Sequence, residues 1–247
     1  MKESAARNSG GDWPDSSRSL LEQALSSAEE ANREEQRNRL ARYTPYPKQR
    51  EFHDAGAAHR ERLLMAGNQL GKTLAGSFEM AMHLTGRYPD WWAGRRFAGP
   101  GRYWAAGETR LSTRDTVQKL LVGEPERPES WGTGAIPGDA LLATFRASSV
   151  ANALDAVTVA HVAGGASTLL FKAYEQGRAK WQGDTLNGVW FDEEPPIDIY
   201  VEGLTRIGAT GGIVMVTFTP LKGMSEVVRL FLEEEGGGSS QDCVPPV

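Results

Sequence analysis

Eight consecutive residues, Ala66-Gly67-Asn68-Gln69-Leu70-Gly71-Lys72-Thr73, constrain the fold of this chain more than any other feature. They follow a short apolar run, Arg62–Ala66, and open a helical stretch, Leu74–Leu84. A glycine-containing loop between a strand and a helix aims backbone N–H groups and the positive end of the helix at one point, which suits a chain of phosphates. Gly71 allows the backbone to come close, Lys72 offers a charge to the β- and γ-phosphates, and the Thr73 hydroxyl offers a ligand to Mg²⁺. The pattern is complete except that Ala66 stands where the first glycine is usual.

A loop of this type needs a parallel sheet to carry it. The apolar runs Arg62–Ala66, Arg102–Ala106, Ser167–Lys172, Gly188–Phe191 and Ile213–Thr217 each read as a buried parallel strand. The helical stretches Leu74–Leu84 and Thr113–Leu121 fall between the early ones, giving the β-then-α alternation of a doubly wound α/β fold. Glycine pairs at Gly164–Gly165 and Gly211–Gly212 punctuate the later strands. Upstream, Ser16–Ala41 is rich in Glu, Gln, Arg and Ala, with Leu21, Leu25 and Ala28 at helical spacing, and Glu29 with Arg33 and Glu35 with Arg39 as i,i+4 pairs. Pro45 and Pro47 should end that helix, so the expected organisation is an N-terminal helical arm (1–42), an α/β domain (43–232) and a flexible tail or linker (233–247).

Composition removes several alternatives. Cys243 is the single cysteine, which excludes a disulfide framework and a cysteine-rich metal site. No run approaches the ~18 apolar residues of a membrane span, and the polar start MKESAARNSGGDW lacks a signal-peptide core, so a cytoplasmic, non-secreted protein with no membrane partner is expected. A net charge of −5 argues against a surface that is one continuous nucleic-acid platform; any DNA contact should be local, transient or shared between subunits.

Further motifs bear on chemistry. Gly188–Phe191 ends in Asp192-Glu193-Glu194, acids that are elsewhere usually solvated loop charges. Behind a phosphate loop they divide two tasks: Asp192 holds the metal's water shell, and Glu193 deprotonates the water that attacks the γ-phosphate. In Tyr43-Thr44-Pro45-Tyr46-Pro47-Lys48-Gln49, the Gln49 amide can donate to and accept from an adenine edge and Tyr46 can stack on the ring, although such a run is commonly just a helix start. The strand Ile213–Thr217 continues into Phe218-Thr219-Pro220, so that Thr217 and Thr219 either satisfy a turn or sense the γ-phosphate. The insert Gly86–Phe97 mixes aromatics with arginines; packing onto the core is its commoner use, and contact with DNA or a neighbouring subunit is the alternative.

Together, YTPYPKQREF, AGNQLGKT, QGRAKWQGDTLNGVWFDEEPP and TFTPLKGMS, in this order and spacing between Tyr43 and Leu232, resemble the large terminase subunit of tailed bacteriophages of the short-tailed, headful-packaging type. The resemblance implies a RecA-like ATPase using ATP and Mg²⁺. Its nucleotide contacts fall at Tyr46, Gln49 and Gly67, Asn68, Gln69, Leu70, Gly71, Lys72 and Thr73, its metal and catalytic groups at Thr73, Asp192 and Glu193, and its coupling residues at Thr217 and Thr219. It also implies a homo-oligomeric ring in the host cytoplasm, transiently at the portal vertex of a procapsid, with portal protein, a small terminase subunit and double-stranded viral DNA as partners. Many members carry an Arg in the loop where this chain has Asn68, so a charge-stabilising Arg is expected from elsewhere; Arg178 is the candidate, reaching into a neighbour's site, with a surface Arg near Trp181 as the plain alternative. That family continues into an RNase H-like nuclease, and this chain stops before such a region, so no DNA cleavage is expected of it. A DEAD-like helicase lobe shares the Gln, the loop and the acids but needs a second RecA lobe. An ATP-binding assembly switch would not need Glu193.

Overall fold

The computed structural model describes residues 15–220 and 225–233. The first fourteen residues, Leu221–Met224 of the TFTPLKGMS motif and most of the 233–247 tail with Cys243 therefore lie outside the described residues. The chain divides into two units, residues 1–36 and 37–247. The first contains α1 (Asp15–Gln36). The second begins inside the arm assigned as 1–42, because Leu40 at a short 3-10 turn, Arg39–Arg42, and the adjoining Tyr43 are buried in its core.

The second unit is built on one seven-stranded sheet. In chain order its strands are β1 (Glu61–Met65), β2 (Arg102–Gly107), β3 (Leu141–Arg146), β4 (Leu154–Ala160), β5 (Ala166–Ala173), β6 (Gly188–Asp192) and β7 (Ile213–Phe218). Their order across the sheet is β1-β7-β6-β2-β5-β4-β3. The five strands expected from the sequence are all present and all parallel. β4 and β3 extend the sheet as an antiparallel ribbon that the apolar runs do not foretell. Around the sheet lie α2 (Pro47–Ala55), α3 (Lys72–Thr85), α4 (Arg110–Thr113), a π-helical turn (Arg114–Gln118), α5 (Lys119–Val122), α6 (Ile197–Ile207) and α7 (Glu226–Glu233).

Strand residues alternate between the two faces, and both are covered. Leu64, Trp190 and Met215 join Ala75, Phe78 and Met82 of α3 in one apolar cluster. Leu63, Val189, Phe191, Val214 and Val216 join Ile199 and Tyr200 of α6 and Phe231 of α7 in the other. Burial on both sides is why these strands read as continuous apolar runs. Gly76 lets α3 lie close on the sheet, since a Cβ there would occupy the space of the Trp190 indole. The aromatic insert packs inward: Trp92 is buried, and His83 of α3 meets Tyr88, Trp92 and Phe97 edge-on at centroid distances of 5.7, 5.7 and 5.0 Å.

Candidate functional site

β1, β6 and β7 run parallel, so their C-terminal ends open on one edge of the sheet, where ligands of such sheets collect. β1 delivers the Ala66–Thr73 loop, β6 delivers Asp192 and Glu193, and β7 lies between them with Thr217 level with Leu64 on one side and Asp192 on the other.

The loop is held in a tight, anion-ready shape. Gly71, the residue before α3, has φ +78°, and Gln69 also takes a positive φ of 61°. A Cβ on Gly71 would sit 2.6 Å from Gln49 Nε2, so glycine is required by conformation and by space alike. Lys72 is buried and donates from Nζ to the Gly67 carbonyl at 2.7 Å, folded over its own loop. Gln49 is buried as well: its Oε1 accepts from the Tyr46 N–H and its Nε2 donates to the Gly71 carbonyl, each at 2.8 Å. With those bonds made, one N–H of Nε2 and one lone pair of Oε1 are left for other partners, and the Tyr43 hydroxyl stands 3.5 Å from that oxygen. Exposed Tyr46 and Leu70 join Gln49, Gln69 and Lys72 around a cavity of about 520 Å³ between α2 and the loop.

Opposite, Asp192 is buried at the end of β6. Burial pushes its carboxyl up to about 7, against the hydroxyls of Thr217 and Thr73 and the charge of Lys72, while Glu193 adds to the rise. Thr217 Oγ1 donates to Asp192 Oδ1 at 2.8 Å. The Thr73 hydroxyl and the Asp192 carboxylate are thus adjacent, and hard oxygen donors of this kind fit Mg²⁺, which takes one or two protein ligands and completes its shell with water and phosphate. Glu193 follows with φ +69°, a conformation that costs a non-glycine residue on the order of 1 kcal/mol or more and that clusters at functional sites. Thr219 Oγ1 donates to Asn68 Oδ1 at 2.9 Å, joining the end of β7 to the loop.

The residues singled out from the sequence thus meet at one sheet edge, apart from Arg178. That side chain lies in a 3-10 turn, Arg178–Trp181, half-exposed, and donates from Nε to Glu202 Oε2 of α6 at 3.0 Å. Among the described residues no hydrogen bond or ion pair joins it to the loop of its own chain.

The sequence reading missed a buried network behind the loop. Glu79 of α3, Arg62 of β1 and His53 of α2 are fully buried. Arg62 pairs with both Glu79 oxygens, His53 Nδ1 lies 2.6 Å from Oε2, and His83 Nε2 lies 3.3 Å from Oε1. Burial pushes the Glu79 carboxyl up, but the Arg62 guanidinium and the two imidazoles outweigh it and hold it well below the usual range. Tyr43 OH, 3.0 Å from His53 Nε2, connects this cluster to Gln49. An arginine inside an apolar strand and a Glu-His pair at i,i+4 in an apolar helix were the available signals.

A mainly parallel α/β sheet that carries a Gly-Lys-Thr loop after one strand and an acid at the end of another defines a RecA-like fold of the P-loop NTPase class. Residues 63–245 match the family "Terminase large subunit, T4likevirus-type, N-terminal", and the chain belongs to that family. It is 46% identical over 211 residues to the terminase large subunit of Salmonella phage P22, and 30% identical over 211 residues to that of Enterobacteria phage LP7. Each match takes in 78% of this chain but only 42% and 44% of the relative, so the chain spans less than half the length of these curated relatives. Among solved structures it is similar to the large terminase of a thermophilic bacteriophage. One crystal form of that protein gives a TM-score of 0.49 at 15% identity over 71% of this chain and 39% of that one. Another, in complex with ADP, gives 0.47 at 17% identity over 71% and 38%.

Proposed function

We propose that this chain is the ATPase motor domain of a large terminase subunit, hydrolysing ATP with Mg²⁺ to drive double-stranded viral DNA into a procapsid through the portal. The observation that carries the reading is the meeting of Lys72 and Thr73 with Asp192 and Glu193 on one sheet edge, bridged by Thr217. Membership of the terminase large-subunit family supports the packaging role.

In this reading the N–H groups from Gly67 to Thr73 cradle the phosphates, and Lys72 leaves the Gly67 carbonyl to neutralise the β- and γ-oxygens. Tyr46 and Gln49 hold the adenine in the cavity they line. Thr73 and Asp192 would hold Mg²⁺, and the ion when bound would supply positive charge against the phosphate oxygens. Glu193 takes a proton from the attacking water as its oxygen bonds to the γ-phosphorus and the β–γ bridging P–O bond breaks, giving ADP and inorganic phosphate. Thr217 and Thr219 couple that loss to β7 through Asp192 and Asn68. Arg178 serves the site of a neighbouring copy in a ring assembled at the portal vertex in the host cytoplasm, with the small terminase subunit as a further partner. Residues 37–232 form the motor domain in this account, residues 1–36 an arm and residues 233–247 a tail.

The test is ATP hydrolysis by the 247-residue chain with and without procapsids. Stimulation by portal-bearing procapsids, absent with portal-free shells, is expected; equal rates in both contradict the motor assignment.

A further inference from the structure

Glu193 is the candidate base, and its backbone is in the left-handed region at φ +69° without being glycine. Such a residue stays there only when its surroundings over-determine it. On one side its N–H donates to the Thr217 carbonyl at 2.8 Å, which ties it to β7. On the other side the Tyr174 hydroxyl donates to the Glu193 carbonyl at 2.7 Å and lies 3.1 Å from the Asp192 carbonyl. Two successive carbonyls converge on one phenol only because the chain turns at Glu193, and one O–H proton serves both.

Tyr174 belongs to neither strand. It begins a 3-10 turn, Tyr174–Gln176, that leaves β5, two strands away from β6 in the sheet. Its ring is buried beside Trp181 and Phe191, at centroid distances of 6.1 and 6.2 Å, so the hydroxyl's position is fixed by packing.

We propose that Tyr174 is a positioning residue for Glu193: by binding the Asp192 and Glu193 carbonyls together, its hydroxyl holds the left-handed turn that sets the base against its water. This rests on the reading of Glu193 as the base. Tyr174 does not touch substrate; it acts on kcat through the backbone of Glu193 and leaves the nucleotide cavity, which it does not line, unchanged.

The experiment is a double-mutant cycle in the 247-residue chain with wild type, Tyr174→Phe, Glu193→Gln and the double variant, measuring kcat and KM for ATP with Mg²⁺ and the melting temperature. Tyr174→Phe keeps the ring and removes only the hydroxyl. The expected result is a kcat lowered by about 10- to 100-fold with KM within about twofold, and less than about a twofold effect of the same change in the Glu193→Gln background. A structural role alone would cost the same factor in both backgrounds, because both pairs share any loss of stability; that result overturns the proposal. Glu193→Gln slow with Tyr174→Phe at the wild-type rate also overturns it, and leaves the base assignment standing. Glu193→Gln at the wild-type rate overturns the base assignment and the positioning role with it.

Discussion

The Thr217 hydroxyl donates to Asp192 Oδ1 at 2.8 Å and accepts from Trp190 Nε1 at the same distance, so one buried oxygen ties the acid at the end of β6 to the strand that separates it from the loop. Adjacent parallel strands lie about 4.8 Å apart, so with β7 between them the backbones of β1 and β6 stand roughly twice that apart, a gap that the side chains of Thr73 and Asp192 close. Thr217 sits at its floor, where a change in charge on Asp192 is felt directly as a change in its hydrogen bonding.

Thr217→Val preserves shape and removes both bonds. It leaves the Trp190 N–H without its acceptor, at about 1–3 kcal/mol for a buried group left unpaired, and leaves Asp192 with the Thr73 hydroxyl alone. The melting temperature should fall by several degrees. Hydrolysis should fall more than nucleotide affinity, and thermal melts with parallel kinetics check both.

Asp192 titrates near 7 in the fold against an ordinary 3.8, so between those values the folded chain keeps a proton that the unfolded chain has released. Its contribution to stability is therefore intact below about pH 4 and is lost as pH rises through about 7. A tenfold change in a protonation equilibrium corresponds to about 1.4 kcal/mol, so the ionised acid costs the nucleotide-free protein a few kcal/mol. Asp192→Asn should raise the melting temperature of that form at about pH 8, flatten its dependence between about pH 5 and 8, and abolish hydrolysis. A melt at that pH no higher than wild type would contradict this.

Glu79 carries the opposite sign. Its carboxyl is held below the ordinary range, so its stabilising contribution is present above about pH 4.5 and is lost as pH falls below that. Glu79→Gln leaves the buried Arg62 charge uncompensated, at about 3–5 kcal/mol. Replacing Arg62 and Glu79 together by Met should cost less than Glu79→Gln alone. Urea unfolding of wild type and the two variants measures the difference.

Much of this was legible in the sequence, for a physical reason. β1, β2, β6 and β7 are largely buried on both faces and so appear as apolar runs, and the loop and the acids mark the ends of two of them; β5, buried on one face and partly buried on the other, shows itself through Leu169, Leu170 and Phe171. β4 instead alternates, with Asp155 exposed and Thr158 half-buried between Leu154, Val157 and Val159, and its partner β3 exposes Leu142 and Phe145 at the sheet edge; neither presents a continuous core run. The start of the compact unit at Arg37 depends on where Leu40 finds its pocket, which no local pattern gives. Tyr174 escaped notice for the same reason: its two bonds span 18 and 19 residues, and the sequence around it, FKAYEQGR, carries no sign of them.

Arg178 and Glu202 form an ion pair with the arginine half-exposed, and such a pair is worth about 0–1 kcal/mol. Arg178→Ala should leave the monomer folded and its basal hydrolysis unchanged, while removing the acceleration that comes with assembly, a factor on the order of 10³–10⁵ for a finger supplied in trans. Hydrolysis measured across a range of protein concentrations, for wild type and Arg178→Ala, decides it. Assembly-dependent acceleration that survives the substitution removes Arg178 from the site.

The most direct test of the central claim is steady-state hydrolysis of ATP with Mg²⁺ by wild type, Lys72→Ala and Glu193→Gln, with nucleotide binding measured alongside. An ATPase of the proposed mechanism turns over in wild type, loses both binding and turnover in Lys72→Ala, and binds without turnover in Glu193→Gln. Wild-type rates in Glu193→Gln, or nucleotide binding with no turnover by the wild-type chain even on portal-bearing procapsids, would contradict it.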